Sequence, residues 1–387
     1  MLTHLNLKPS FGFGDRLGLA TPGHIAAVKG TNFSPIFAQQ SVRENARTGR
    51  TPQNVMDDAK RALDATGWDA PWGADADHLK TVANMKSFVK AGFTFFTVDP
   101  GDHVDNAADT DDMATLREKV AGQQWQERSD LYLSAAEEQP WGVFDEERLL
   151  RAIGKYGKAI DHSIMMYRQL KEMKDEFDFE ASVDETDAPT TPLEHFFIVN
   201  ELTRAGVKFT SLAPRFIGRF EKGVDYIGDL RALDVELAKH AAVTKYFGTY
   251  KLSLHSGSDK FSVYPLIAKH WGKLLHVKTA GTSYLEALRT LAVKEPALFE
   301  RIWKMALEKY PVERATYHVS AELIKVPIGV APETLLDDFH ARQVLHVTFG
   351  SALMLFGGEM KQALVKHADT YALYLQKHFA KHLDLLK

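Results

Sequence analysis

Lys251-Leu-Ser-Leu-His-Ser-Gly-Ser-Asp-Lys260, continued by Phe261-Ser-Val-Tyr-Pro-Leu-Ile-Ala-Lys-His-Trp-Gly-Lys-Leu-Leu-His-Val-Lys-Thr279 and Ala280-Gly-Thr-Ser283, holds the organisation of the whole chain in one stretch. A short apolar run ends in a histidine and small polar residues. A helix-like segment follows, and a second short run ends in another Gly/Thr/Ser turn. Working outward, comparable runs lie near Arg16–Ala20, Pro35–Gln39, Ala70–Ala76, Phe93–Asp99, Phe177–Val183 and Lys208–Ala213. With Lys251–His255 and Leu274–Thr279 they number eight, and most precede a helix-like segment. Eight strand–helix units predict an α/β fold of the (β/α)8 TIM-barrel type rather than a doubly wound sheet. No Gly-x-Gly-x-x-Gly turn follows an early strand, so the main sign of a dinucleotide fold is missing.

Two segments exceed a minimal barrel. Between the fourth and fifth strands, Asn106 to Glu176 reads as two or three helices, with Glu146 to Lys174 the clearest. A connection this long needs structure of its own, and at the catalytic end of a barrel it is expected to act as a cap. Residues 1–293 therefore read as the catalytic barrel with its helical insertion 106–176. Residues 294–387 read as a mostly helical extension packed on the barrel, with one β-like piece at Thr316–Ala321. Asp187-Ala-Pro-Thr-Thr-Pro192 is a turn closing the fifth strand. The acidic runs Asp109–Asp112 and Glu137–Glu138 read as solvated faces.

Composition narrows the chemistry. The 387 residues include no cysteine, which excludes disulfides, thiolate nucleophiles and cysteine-ligated metal centres. Any metal must sit on histidine, carboxylate or backbone oxygen. A net charge of -4 speaks against nucleic acid as the main partner. No apolar run approaches the ~18 residues of a membrane span, and the N-terminus lacks the charged-then-apolar order of a signal peptide. The expectation is a cytoplasmic enzyme with a small-molecule substrate; the sequence carries no signal for oligomeric state.

Barrel enzymes gather their chemistry where strands end. The eight expected ends give Thr21-Pro-Gly-His24; Gln39-Gln40-Ser41 with Arg43, Glu44 and Asn45; Asp75, Asp77, His78 and Lys80; Asp99, Asp102 and His103; Glu180 with Asp184-Glu185; Arg215 with Arg219; His255-Ser256-Gly-Ser-Asp259; and His276-Val-Lys278-Thr279. Carboxylates gathered together are costly to bury unless a cation or protons compensate, and a divalent metal does so most simply. His78, Glu185 and His255 are the candidate ligands, and Glu185 is with Asp77 a candidate catalytic carboxylate. Asp77 is then the candidate general acid/base beside a metal-polarised substrate. The structural alternatives are a helix-capping Asp77 and a core His255. Arg215 and Lys278 are candidates for pairing with an anionic substrate, and the fork of Arg215 suits a planar carboxylate. Gln39, Gln40, Asp99, Asp184, Ser256 and Thr279 complete the expected substrate-binding set. His318, His340, His346 and His367 read as packing or surface, although His346 is an unusually polar insertion in an apolar stretch.

Four segments carry a resemblance: Phe37-Ala-Gln-Gln-Ser-Val-Arg-Glu-Asn45, Gly73-Ala-Asp-Ala-Asp-His-Leu-Lys-Thr81, Phe93-Thr-Phe-Phe-Thr-Val-Asp-Pro100 and Leu254-His-Ser-Gly-Ser-Asp-Lys-Phe-Ser-Val-Tyr-Pro265. They resemble the tagaturonate epimerase family over almost the whole chain. That resemblance implies interconversion of D-tagaturonate and D-fructuronate, with action on the neutral ketohexoses tagatose and fructose in some members. A more distant likeness is to class II metal-dependent sugar aldolases and to the tagatose-bisphosphate aldolase subunit family, through Asp77-His78 and His255-Ser-Gly. It implies Asp77 as acid/base and the two histidines as ligands of a divalent ion; Zn, Mn, Co and Ni all suit such a site. The third aldolase histidine has no counterpart in Leu212-Ala-Pro-Arg215. Glu185 is the substitute, with Asp184 or Glu180 as alternatives.

The two uronates differ at a carbon one bond beyond the neighbour of the ketone, so simple enolisation does not invert it. The aldolase likeness implies retro-aldol cleavage, rotation of the aldehyde fragment and re-addition on its other face. The competing expectations are an aldolase that releases its fragments and a non-catalytic barrel subunit of such an aldolase.

Overall fold

Eight parallel strands close into a barrel in sequence order: β1 Ser10–Gly14, β2 Ser34–Ser41, β3 Gly73–Leu79, β4 Phe95–Val98, β5 Asp178–Val183, β6 Ser211–Pro214, β7 Lys251–Leu254 and β8 Leu275–Thr279. This computed structural model describes residues 1–134 and 138–387, and Glu137 of the expected solvated acidic run lies outside them. β8 returns to pair with β1, with Ser10 opposite His276 and Gly12 opposite Lys278. Helices follow the strands on the outside, and the turn residues start them. Ser41 caps the helix Val42–Thr48 through the Glu44 amide, and Thr81 and Thr191 cap Val82–Ala91 and Pro192–Arg204. Asp77 caps no helix. Among the described residues no helix is long and apolar enough to cross a membrane.

The first strand is a correction. Arg16–Ala20 is a turn rather than a strand: Asp15 accepts hydrogen bonds from the amides of Leu17, Gly18 and Ala20, and Gly18 sits at φ +75°. The strand is the preceding Ser-Phe-Gly-Phe-Gly, whose glycines argue against strand propensity. They are there because the backbones crowd. A Cβ on Gly14 would lie 2.7 Å from the Thr279 carbonyl oxygen, and one on Gly12 would collide with the Gln39 side chain. Thr21-Pro-Gly-His24 accordingly opens the helix Thr21–Val28 rather than ending a strand, and His24 packs against Phe13 and Phe379.

Side chains alternate between the two faces of each strand, and here the inner set is polar. Ser10, Asp75, Thr97, Asp178, Glu180, Ser211, Lys251, His276 and Lys278 are all buried. They bond across the barrel: Lys251 Nζ donates to Ser10 Oγ at 2.8 Å, and Lys278 Nζ lies 2.7 Å from Asp75 and 2.8 Å from Glu180. Many barrels fill this space with branched apolar side chains. Here the apolar core is the shell between strands and helices, where Phe11, Phe13, Leu79, Phe96, Phe179, Leu212 and Val277 pack.

The long connection after β4 contains helices Met113–Val120, Trp125–Leu133 and Glu146–Met173. The last packs between Val82–Ala91 and Pro192–Arg204, the place of the barrel's own fourth helix. The tail contains several helices, and its last helix, Ala368–Leu385, packs on Thr21–Val28, with Phe379 5.0 Å from the Phe13 ring. Thr316–Ala321 forms no strand. Its amides at Ser320 and Ala321 bond to the Gln343 side chain, and Ser320 also bonds to Glu221.

Candidate active site

Asp77 and His78 are neighbours on β3, and in regular strand they would point to opposite faces. The pairing of β3 with β4 shifts register between Ala76 and Leu79, and His78 takes φ +52°. Such a bulge re-aims a side chain, and a left-handed non-glycine residue stores backbone strain. Here it lets both residues line one cavity of about 510 Å³ at the C-terminal ends of the strands. That volume is in the range of small-molecule sites.

At its floor the His78 and His255 rings stand 5.0 Å apart, from opposite walls. His78 Nδ1 is 2.9 Å from Asp77, which leaves Nε2 facing Asp184 at 3.8 Å and Glu185 at 3.9 Å. His255 Nε2 is 2.6 Å from Glu180, which leaves Nδ1 facing Asp184 at 3.3 Å. Ligand atoms of His78, Asp184 and His255 all lie within 4.8 Å of one another. Each imidazole thus turns one nitrogen to a carboxylate behind it and the other to a shared point, the arrangement by which outer carboxylates orient metal-binding histidines. The donor set fits a divalent ion of the Zn, Mn, Co or Ni kind.

The third ligand position has two candidates. Asp184, the alternative, stands between the imidazoles, while Glu185 is peripheral, with its side chain 40% exposed and 3.8 Å from Arg43. Strand parity is the reason: Glu180, Ser182 and Asp184 alternate inward along β5 and its extension, and Glu185 falls out of step. Glu185 still lines the cavity and shares a second candidate cluster with His78 and Asp99.

The electrostatics are those of a place built for positive charge. Burial disfavours charge at every group, yet Asp77 and the acidic residues around it raise the His78 imidazole to about 10, and Asp184 and Glu180 raise His255 to about 9. Conversely, against burial, His78 and Lys278 hold the Asp77 carboxyl well below its usual range; Lys278 and His255 do so for Glu180, and His255 for Asp184. Burial raises Asp75 to about 7. A divalent ion would take over the positive charge that the two imidazolium rings otherwise supply.

Other expected residues divide. Gln39, Arg215 and Ser256 line the cavity, and Arg215 has no acidic partner within 4.0 Å among the described residues. Lys278 borders the cavity too, but its ammonium is enclosed by Asp75, Asp77 and Glu180 and also bonds to Thr97, so it is no free partner for an anion. Gln40 turns away and accepts a bond from Arg50 at 3.3 Å. Thr279 donates to the Gly12 carbonyl at 2.7 Å, and Asp99 accepts from the Gly101 amide at 2.8 Å; neither lines the cavity.

The roof of the cavity is built from other segments. No described residue of 106–176 lines the cavity. The walls above the strands come from Arg16, Arg43 and Glu44, from the loop between Arg215 and Lys222, and from the tail, through Thr316, Tyr317, His318 and His346. Asp75 and Glu180 gain their importance from the same inward parity as Asp77 and Asp184. The tail residues, which begin at Thr316, well beyond Ala280 as the last barrel residue of the cavity, left no comparable signal beyond the odd polarity of His346.

The sequence pattern of the tagaturonate epimerase family matches residues 2–386. A tagaturonate/fructuronate epimerase from Thermotoga maritima is 46% identical over 398 aligned positions, covering 98% of this chain and 81% of the relative. The native crystal structure of the fructuronate-tagaturonate epimerase from Cohnella laeviribosi superposes with a TM-score of 0.94 at 39% identity, over 100% of this chain and 83% of that one. At the level of fold alone, a probable tagatose 6 phosphate kinase from Sinorhizobium meliloti matches over 98% of this chain and 99% of that one, with a TM-score of 0.53 at 12% identity.

Proposed function

This chain belongs to the tagaturonate epimerase family, and from that premise we propose that it interconverts D-tagaturonate and D-fructuronate by breaking and remaking one carbon–carbon bond, at a divalent-ion site formed by His78, Asp184 and His255. The observation that carries this reading is the convergence of those three side chains, each imidazole backed by a carboxylate. A divalent ion held there supplies Lewis acidity to the substrate's ketone.

The chain's own residues do the rest. Asp77 and Glu185 flank His78 at opposite ends of its ring. One carboxylate removes the proton of the hydroxyl on the carbon to be inverted. That oxygen becomes an aldehyde carbonyl as the neighbouring carbon–carbon bond breaks, and the electron pair passes into the ketone as an enediolate. The aldehyde group turns over, the enediolate carbon adds to its other face, and the new alkoxide takes a proton from the other side chain, which starts the cycle as the carboxylic acid and ends it as the carboxylate. Lys278 keeps Asp77 anionic and in place. Arg215 and Ser256 supply donors for the sugar hydroxyls and Gln39 supplies Oε1 as an acceptor, its Nε2 donating to the Thr279 carbonyl, and the tail and the loop after β6 restrict the loss of fragments to solvent.

The test is epimerisation in deuterium oxide with the ion-loaded protein. Carbon–carbon cleavage predicts product without obligatory deuterium on carbon, together with trapping of small amounts of the aldehyde fragment. One carbon-bound deuterium per turnover at the inverted centre refutes it.

A further inference from the structure

One histidine of the cavity has no part in this chemistry. His346, on the helix Phe339–Val347, is 1% exposed, and neither ring nitrogen has a hydrogen-bond partner among the described residues. Buried polar groups are nearly always paired, so an orphaned imidazole on a cavity wall needs a reason. Its ring rests on Gly281, where a Cβ would collide with Nε2. Gly281 precedes the 13-residue helix Thr282–Lys294 and offers it no side-chain cap, so unsatisfied amides and the positive end of the helix dipole lie beside the imidazole.

The same corner gathers other donors. Arg16 bonds Glu44 through Nε and Nη2, but its Nη1 is buried without a partner, as is the Thr282 hydroxyl. Lys222 reaches in from the loop after β6 and lies 3.2 Å from Ser256 Oγ. The acids nearby are committed: Glu44 to Arg16, and Asp259 to Arg342 and His378. Burial, then Arg16 and Lys222, hold the His346 imidazole well below its usual range, so it is neutral and carries one N–H donor. Donors without acceptors at a helix start describe an anion site.

We infer that His346, Arg16, Lys222 and the start of the helix Thr282–Lys294 form the subsite for the carboxylate at the far end of the sugar chain, and that this corner selects uronates over neutral ketohexoses; the assignment rests on the epimerase reading above. It also serves the reaction. Anchored by its carboxylate, the aldehyde fragment turns its carbonyl over without leaving, so re-addition outruns release.

The test uses the full chain with its divalent ion, in wild-type form and as His346→Leu, Lys222→Met and Arg215→Met. Kinetics with tagaturonate and with fructose give a selectivity ratio of kcat/KM values. The expected result is a fall in that ratio of roughly ten- to a hundredfold in His346→Leu and in Lys222→Met, the worth of a charge-assisted hydrogen bond, carried by KM for the uronate. His346→Gln, which keeps a donor, recovers part of it. Titration calorimetry with D-gluconate and its neutral counterpart D-glucitol gives a readout free of turnover: wild type prefers the acid, and the two variants lose the preference. Absence of preference in wild type overturns the inference. So does a preference that survives in both variants, or one lost only in Arg215→Met. If wild type epimerises neither uronate yet shows a His346-dependent preference for gluconate, the subsite stands and the epimerase reading falls.

Discussion

Replacing Lys278 with methionine removes the ammonium from between Asp75, Asp77 and Glu180, at 2.7, 2.9 and 2.8 Å, and leaves a side chain of similar length. Asp75 and Glu180 are fully buried, so water does not take the place of the lost charge. Breaking a buried ion pair by deleting one partner costs about 3–5 kcal/mol, a large part of the ~5–15 kcal/mol that holds a typical domain together. The loss has a direction in pH. Burial already lifts Asp75 to about 7 with Lys278 present, and Lys278 is the chief influence opposing that rise. Without it the folded-state value climbs further. A carboxyl whose folded value lies above its unfolded one costs nothing while both states are protonated; its cost grows as pH rises from the unfolded value and is complete above the folded one. The deficit of Lys278→Met is therefore smaller at pH 6 than at pH 8.5. Urea unfolding followed by tryptophan fluorescence at both values measures it, and adding Asp75→Asn should restore at least half of the loss. A deficit below about 1 kcal/mol, or one equal at the two pH values, would refute the view of Lys278 as the counter-charge of the barrel interior.

Three further outcomes follow from the same geometry. Asp184→Asn should weaken binding of the divalent ion by at least the ~10–100-fold typical of even an outer-sphere change, while Glu185→Gln retains the ion and loses turnover; equal ion content in both, by elemental analysis, would remove Asp184 from the ligand set. Asp77→Asn should keep the ion and reduce kcat by roughly 10²–10⁴-fold, as loss of a general base does; near-normal kcat would assign that proton transfer elsewhere. Ion uptake near pH 7.5 should release about two protons, because His78 and His255 hold theirs until about 10 and about 9 and must give them up to bind. Affinity then falls as pH is lowered, and calorimetry in two buffers of different ionisation enthalpy counts the protons; a release well below one would contradict the assignment.

The barrel was legible because its strands announce themselves twice, as short apolar runs and as polar residues at their ends. The exception, β1, shows the limit of that signal. Ser-Phe-Gly-Phe-Gly looks unlike a strand, since its glycines answer to the Thr279 backbone and the Gln39 side chain, neighbours that exist only after closure. His78 and His255 could be picked out as ligand types at strand ends, and Asp77 with them. Asp184 was within reach too: counting by twos from Glu180 selects it over Glu185. Nothing in the local sequence says that Lys278 is consumed by three carboxylates, because those partners come from β3 and β5. The residues that line the roof were hidden for a similar reason. Length alone made 106–176 the expected cap, but much of that length is the fourth barrel helix, and the residues over the cavity come from a tail whose return path is a matter of tertiary packing.

A barrel whose axis is threaded by charge imposes a rule on anyone who would alter its substrate. At the floor each acid answers to a named base, so a change of one residue there unbalances several others and is paid in folding before it is felt in selectivity. The upper walls are coupled at fewer points, chiefly Arg342 with Asp259 and Gln343 with Glu221. Substitutions along the loop after β6 and on the face of Phe339–Val347 vary shape and polarity while leaving the axial ledger intact, and laboratory selection for other sugars should accumulate its successes there first.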